Sequence, residues 1–221
     1  MESRVAVIVG AGPGLGAAVA RKLGRAGFAI ALVARNEQRL TELGEALQAE
    51  DITTGWTAVD VADSDQLAAA VTRFGDFSGQ IDVLHHNAVA FRSAAASALN
   101  ATDLLADLSV GTASLLTSVS AALPFMQAGG LVLATGGGSA DHPMTSAASL
   151  GVQKAALRNL MLALDQDLRG RGIRAASLTV NGTIAAGTPF DPDRIADAFA
   201  ELVAGAPKAG DHWRSEVPFN G

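Results

Sequence analysis

Short apolar runs alternate along this chain with longer segments of helical spacing, and this alternation limits the fold more than any other feature. The short runs are rich in β-branched residues, which is typical of strands buried on both faces of a parallel sheet. An order of strand, helix, strand, helix predicts a doubly wound α/β fold with helices on both faces of the sheet, three layers in all. The predicted strands are Val5–Val9, Ala29–Val33, Trp56–Val59, Ile81–Leu84, Leu131–Thr135 and Ala175–Val180, with Glu216–Phe219 as a further edge strand.

The intervening segments repeat apolar residues every three or four positions, as a helix packed on a sheet requires. The two longest helical stretches run from Leu104 to Met126 and from Ala148 to Leu168, and Asp63 is positioned to cap another helix. The tail from Ala204 onward is expected to be less regular. Because no internal repeat or linker is visible, we expect a single domain over residues 1–221.

Charge and composition exclude several classes of partner. The 221 residues carry 16 basic and 22 acidic side chains, a formal net charge of −6, and no basic stripe, so we expect no nucleic-acid partner. No apolar run approaches the ~20 residues of a membrane span, which predicts no membrane association. The lack of Cys is compatible with a cytoplasmic protein, and we expect no metal site.

A glycine-rich turn, Gly10-Ala-Gly-Pro-Gly-Leu-Gly16, joins the first predicted strand to the first helix. Such a turn lets backbone amides approach a pyrophosphate, which then lies at the positive end of the helix. We therefore predict a Rossmann-type fold with Gly10, Gly14, Leu15 and Gly16 binding a dinucleotide. The alternative is a tight turn without a ligand.

The residues after the second strand indicate which dinucleotide is bound. Val33 is followed by Ala34, Arg35 and Asn36, with no carboxylate at the position that holds an adenosine ribose 2′-hydroxyl. Arg35 would instead pair with a 2′-phosphate. We predict NADP(H), with NAD(H) disfavoured; the alternative is a solvated surface arginine.

These residues, with others further along, resemble the short-chain dehydrogenase/reductase family from Val5 to about Thr188. Gly10, Gly14 and Gly16 match the family's first signature. The family implies a parallel sheet of order 3-2-1-4-5-6, oxidoreductase activity on a small molecule, and association of the two longest helices into a homodimer or homotetramer.

Three further segments carry the resemblance. Asp60-Val61 is similar to the family's adenine-contacting pair, and His86-Asn87-Ala88-Val89 is similar to its Asn-Asn-Ala-Gly segment, with Asn87 and Ala88 preserved. Asn181-Gly182-Thr183-Ile184 falls where a backbone contact to the nicotinamide carboxamide is made. The resemblance thus implies that Asp60, Val61, Asn87 and Ile184 bind the cofactor.

The catalytic positions depart from the family pattern. Lys154 matches the lysine of the family's Tyr-x-x-x-Lys pair, but Leu150 stands in the tyrosine position, and the chain has no Tyr at all. The family's Ser falls in Gly136-Gly137-Gly138, with Thr135 and Ser139 the nearest hydroxyls, and its Asn falls on Gly111. The usual Ser-Tyr-Lys mechanism is therefore unavailable.

Two functional hypotheses follow. In the first, the protein is a divergent NADPH-dependent reductase in which Lys154 holds the nicotinamide ribose and water or His142 donates the proton, with His86 a weaker candidate. In the second, it is a redox-inactive dinucleotide-binding or sensing protein that regulates a partner. Both histidines, and Lys154, could instead be ordinary structural or surface residues. The segment after Thr188 is short, so most of the usual substrate lid is expected to be missing.

Overall fold

A computed structural model describes residues 4–209 and 212–221. Within these residues, seven parallel strands form one sheet of order β3-β2-β1-β4-β5-β6-β7, which confirms the predicted topology. Pro218 lies on the edge strand, where its missing N–H is tolerated. The strands are β1 (Arg4–Val9), β2 (Phe28–Ala34), β3 (Thr54–Ala58), β4 (Val83–His86), β5 (Leu131–Gly137), β6 (Arg174–Val180) and β7 (Glu216–Phe219).

Helices cover both faces of the sheet and give the predicted three layers. Alternate residues of β1 show why both faces are apolar: Val5, Val7 and Val9 join one core cluster, whereas Ala6 and Ile8 join the other. The first cluster also takes residues of α3, α5 and α6, and the second takes residues of α1, α2 and α7. The helices are α1 (Leu15–Arg25), α2 (Glu37–Ala49), α3 (Ser64–Ser78), α4 (Ala101–Leu108), α5 (Ser114–Ala122), α6 (Ala148–Leu168) and α7 (Pro192–Ala209).

Several strand boundaries differ from the sequence prediction: β5 extends two residues beyond Thr135, to Gly137, and β1, β2 and β6 each begin one residue earlier than predicted. β3 begins at Thr54, two residues before Trp56, and β4 runs from Val83 to His86 instead of ending at Leu84. Hydrophobicity alone placed β4 too early because its last two residues are histidines. The tail prediction was also wrong in part, since α7 extends to Ala209. The predicted cap at Asp63 is confirmed, because its side chain accepts a hydrogen bond from Gln66 N.

The predicted continuous helix from Leu104 to Met126 is interrupted. A π-helical turn, Ser109–Ala113, separates α4 from α5, and a 3-10 turn closes the stretch at Pro124. A Cβ on Gly111 would overlap Oε1 of Gln153 on α6, so this turn packs against α6 closely enough to require glycine there.

The stretch Ala101–Phe125 has the length and apolarity of a membrane span, with a mean hydropathy of 1.4. Its packing gives another explanation: Leu115, Val119 and Ala122 lie in the core against the sheet. The helix is therefore a core element of this fold.

The end of α6 is tied to β6 by a buried carboxylate. Asp165 accepts hydrogen bonds from Arg174, Ala175 N, Ser215 and Arg169. Burial alone would raise the pKa of Asp165, but these hydrogen bonds outweigh it and lower the pKa below its usual value. The network fixes the segment that leads into β7.

Candidate active site

The carboxyl ends of the strands open into a cleft of about 660 Å³. Ligands of doubly wound sheets bind at this edge, where the strand order reverses between β1 and β4. The cleft brings together five of the predicted cofactor residues from four different loops: Gly10, Arg35, Asp60, Val61 and Asn87.

The glycine turn combines one crowded position with two open ones. Gly10 has a φ of +87°, and a Cβ there would lie 2.5 Å from Ala88 N. Gly12 and Gly14, in contrast, have no protein atom within 4 Å of the position a Cβ would take. The backbone at Gly12 and Gly14 therefore faces free space, a cradle that side chains would fill.

The start of α1 is ready to receive an anion. Its N-cap is Gly14, which has no side chain to bond the first amides, and its first turn carries no acidic residue. Unbonded amides and the helix dipole together favour negative charge at such an end. Leu15 and Gly16 are buried in the same turn, where a Cβ on Gly16 would lie 2.9 Å from Ala11 Cα.

Arg35 has a second arginine beside it that the sequence analysis missed. Arg39 lies in the first turn of α2 and lines the same cleft. Asn36 caps α2 by accepting a hydrogen bond from Arg39 N, which fixes where this turn begins. Both arginine side chains are exposed, and neither forms an ion pair with a described residue. The signal was the four-residue spacing of Arg35 and Arg39 around a capping Asn.

A chain of hydrogen bonds runs beneath the cleft. Asn87 Nδ2 donates to Gly10 O (2.9 Å), Thr135 Oγ1 donates to Asn87 Oδ1 (2.8 Å), and Lys154 Nζ donates to Thr135 O (2.7 Å). These side chains thus link the glycine turn, β4, β5 and α6. Thr135 carries one of the two hydroxyls nearest the family's Ser position, and its hydroxyl proton is already donated to Asn87.

Lys154 lies at the α6 end of this chain of hydrogen bonds, outside the lining of the cleft. Its side chain passes along Gly137, with 8% of the residue exposed, and burial lowers the pKa of Lys154 from 10.5 to about 8. Its ammonium has no carboxylate partner among the described residues. It keeps N–H donors that ribose hydroxyls could accept.

Two histidines at the end of β4 are fully buried and neutral. Burial, followed by the charge of Lys154, lowers the pKa of His85 and of His86 to about 3. Thr135 and Ser114 each have their hydroxyl proton bonded elsewhere, so Nε2 of His85 and of His86 must be the donor to those oxygens. His86 is therefore a structural residue, and its weak candidacy as proton donor was wrong.

The remaining predicted residues lie outside the cleft lining. His142 is exposed on the loop after β5, and Ile184, 39% exposed, lies on the loop after β6. Leu150 is half-buried in the first turn of α6, and Ser139 lies in the 3-10 turn after β5. No group of His, Asp or Glu in the described ranges gathers as a metal site would require.

Gln153, which the sequence analysis did not single out, fixes one wall of the cleft. Its amide is fully buried, accepts a hydrogen bond from Ala90 N (3.1 Å) and donates one to Ala90 O (2.9 Å). Ala90 lines the cleft, 63 residues away in sequence. The space Gln153 needs is available because position 111 is glycine.

These features fit a bound dinucleotide, and comparison with known proteins agrees. The short chain dehydrogenase family model matches residues 4–190. An uncharacterized oxidoreductase of Staphylococcus epidermidis is 29% identical over 211 residues, which cover 90% of each chain. A metagenomic short-chain oxidoreductase solved in complex with NADP superposes with a TM-score of 0.83 at 28% identity, covering 97% of this chain and 96% of that one. A short chain dehydrogenase from Burkholderia cenocepacia, also in complex with NADP, gives 0.86 at 25% identity, covering 100% and 97%.

The fold and the position of the cleft are those of the dinucleotide-binding class of α/β proteins. The chain belongs to the short-chain dehydrogenase/reductase family.

Proposed function

We propose that this protein binds NADP(H) and acts as an oxidoreductase on a carbonyl-type substrate, by a mechanism that does not use the family's catalytic Ser and Tyr. The observation that carries the proposal is the pair Arg35 and Arg39, unpaired among the described residues, on the same cleft as the open glycine cradle. Two guanidinium groups suit a 2′-phosphate, whereas a ribose 2′-hydroxyl would not require them. The NADP complexes of the two structural neighbours support this choice.

Each part of the cleft has a defined task in this proposal. The amides around Gly12 and Gly14 bind the pyrophosphate at the start of α1, and Asp60 with the Val61 amide binds the adenine. Lys154 binds the nicotinamide ribose, while Asn87 and Thr135 hold it in place. Ile184 supplies a backbone contact to the carboxamide. When bound, the dihydronicotinamide supplies a hydride.

The proton must come from elsewhere than the family's tyrosine, since Leu150 cannot donate one. His142 on the exposed loop after β5, or water, is the proposed source. The loop from residue 181 to 191 folds on itself through Gly187 N bonded to Asp191 Oδ2 and Thr188 Oγ1 bonded to Ala185 O. We propose that the chain is a single domain, and that this loop is too short to cover its active site, which stays open to water.

Cofactor preference tests the proposal. NADPH and NADH are titrated into the protein and into the variant Arg35→Glu/Arg39→Glu, with Arg73→Glu, a surface change on α3, as the control. Because charge-assisted hydrogen bonds contribute about 1.5–3 kcal/mol each, the double variant should bind NADPH at least ~10-fold more weakly and leave NADH within about 2-fold. Equal affinity of the unmodified protein for both dinucleotides would contradict the role of the arginines.

A redox-inactive dinucleotide sensor is the second candidate, favoured by the joint loss of the family's Ser, Tyr and Asn, whose positions hold glycine, Leu150 and Gly111. NADPH oxidation is followed with aldehydes, ketones, quinones and imines, using Lys154→Ala and His142→Ala alongside. Binding of NADPH with no turnover on any acceptor would favour the sensor. Turnover that falls in His142→Ala while NADPH affinity holds would assign the proton to His142.

A further inference from the structure

Exposed apolar side chains gather at the mouth of the proposed active site. Val89 (42% exposed) and Phe91 (69%) follow β4, Met144 (43%) follows β5, and Ile184 (39%) follows β6. They make up half of the large apolar side chains that are exposed among the described residues, and all lie on loops at the carboxyl edge of the sheet. Val89 and Phe91 line the cleft itself. Exposed apolar groups clustered beside a cleft mark a ligand-binding surface.

The three loops that carry these side chains are joined to one another. A β-bridge pairs Ala94 with Ala147, and Ala148 N donates to Ala94 O (3.0 Å), which ties the loop after β4 to the loop after β5. Gly138, after β5, packs so closely on the loop after β6 that a Cβ would lie 2.9 Å from Asn181 Oδ1. The apolar groups therefore belong to one continuous rim.

The charged side chains of this rim are already paired within the protein. In the described loops after β4, β5 and β6, Arg92 binds Asp103 and Asp107, and Asp141 binds Arg158. Asp191 accepts hydrogen bonds from Gly187 N and Asp193 N. Beside the exposed His142, only Lys154 is left, and it lies 8% exposed with Nζ bonded to Thr135 O. Within these three loops no guanidinium or ammonium is left for a substrate carboxylate or phosphate; the unpaired Arg35 and Arg39 of the cleft follow β2 and bind the cofactor in the proposed function.

Leu150 places an apolar side chain at the position where the family's tyrosine would donate a proton. It lies one helical turn before Lys154, on the same side of α6, and is half-buried. A ketone that accepts a hydride becomes an alkoxide, a base about as strong as hydroxide, so it needs a proton donor. A quinone that accepts a hydride becomes a hydroquinone monoanion, a phenolate with a pKa near ~10, like tyrosine.

This difference decides which acceptor suits the site. The hydride brings two electrons and one hydrogen, so quinone plus hydride gives the monoanion, and one proton from bulk water completes the hydroquinone. The dihydronicotinamide that gave the hydride is left oxidised. No side chain has to donate the proton.

We propose that the rim formed by Val89, Phe91, Met144, Leu150 and Ile184 binds an uncharged, planar aromatic quinone as the hydride acceptor. This inference rests on the proposed NADP(H)-dependent function and narrows its substrate class.

Binding is measured first, without turnover, by calorimetric titration of 1,4-naphthoquinone into the protein saturated with NADP⁺. The chain has no Cys, so the quinone has no thiol to alkylate. Naphthoquinone should bind at least ~10-fold more tightly than its 2-sulfonate, because the rim has no free cation. Phe91→Ser should weaken naphthoquinone binding about 10-fold. Phe77→Ser, a change at an exposed phenylalanine on α3, should leave it within about 2-fold.

Turnover is measured next, without oxygen, with NADPH and either 1,4-naphthoquinone or the matched monoketone 1-tetralone, against a protein-free blank. Naphthoquinone should be reduced at least ~100-fold faster. Leu150→Tyr, which restores an acid at this position, should raise the tetralone rate and so narrow the ratio between the two rates. Equal affinity for naphthoquinone and its sulfonate, or equal rates on the two acceptors, would overturn the inference while NADPH binding stands. Failure of the protein to bind NADP(H) would overturn the proposed function and this inference together.

Discussion

Gly10 and Gly12 lie two residues apart in the turn after β1, in opposite surroundings. Gly10 has a positive φ and Ala88 N against its missing Cβ, whereas Gly12 faces open space. Gly10→Ala should therefore lower the free energy of unfolding by at least ~2 kcal/mol, through strain and a backbone clash. Gly12→Ala should stay within ~0.5 kcal/mol of the unmodified protein but weaken NADPH binding, because its methyl group enters the cradle. Urea denaturation and cofactor titration measure the two effects.

The comparison within this pair separates folding from binding. If Gly12→Ala bound NADPH as well as the unmodified protein, the open space at Gly12 would not be the pyrophosphate site. If Gly10→Ala were as stable as Gly12→Ala, the backbone contact with Ala88 would be less tight than the structure has it.

Lys154 makes stability depend on pH. Its pKa is lowered to about 8, so between pH 8 and 10.5 the unfolded chain binds more protons than the folded one, and stability rises with pH. Lys154→Met lacks this dependence. The unmodified protein should therefore gain up to about 3 kcal/mol relative to Lys154→Met as the pH rises from 7 to 10.5. Urea denaturation at several pH values measures the difference; Lys22→Met, at a lysine on the protein surface, is the control.

At the scale of elements, the π-helical turn between α4 and α5 packs closely against Gln153 of α6. Gly111→Ala would push its methyl group into the Gln153 amide and break the two hydrogen bonds that hold Ala90. It should be clearly destabilising alone, by about 1–3 kcal/mol, but nearly neutral in a Gln153→Ala background. Thermal or urea unfolding of the four proteins of this cycle measures the coupling.

The same cycle has a binding readout. Gln153→Ala should also weaken NADPH binding, since Ala90 lines the cleft. Gln153→Glu, which keeps the acceptor oxygen, should recover part of the loss. Additive effects of the two substitutions would show that position 111 and Gln153 act independently.

Element positions were largely predictable from the chain, and their interruptions were not. The strands are short apolar runs between helical segments, so periodicity found all seven. β4 was placed two residues early because His85 and His86 look polar in sequence, although both are fully buried. The break at Ser109–Ala113 was not predicted; it lies where the chain packs against Gln153, a residue some forty positions away.

For the whole molecule, we predict self-association through the helices on one face of the sheet. Leu105, Leu116 and Val152, on α4, α5 and α6, are 64%, 45% and 43% exposed. Leu116→Glu should shift a dimer or tetramer toward monomer in sedimentation experiments, because a charge would be buried at the contact. Phe77→Glu, on α3, should not. Ser114 on α5 is not part of this surface, because it is buried within its own chain against His86.

A monomeric unmodified protein at micromolar concentration would contradict this prediction, as would an unchanged assembly in Leu116→Glu. Either result would leave the cleft itself unaffected, because Leu105, Leu116 and Val152 are absent from its lining.

The sequence by itself determined the fold class, the glycine turn, the arginine after β2 and the loss of the catalytic tyrosine, because periodicity, local turn chemistry and residue identity are local properties. Only the tertiary structure decided that Arg39 joins Arg35, that Gln153 supports Ala90, and that His86 is buried and neutral. Those properties depend on contacts between residues far apart in the chain. Burial, which sets the pKa values of Lys154 and the histidines, exists only once the sheet and its helices have packed.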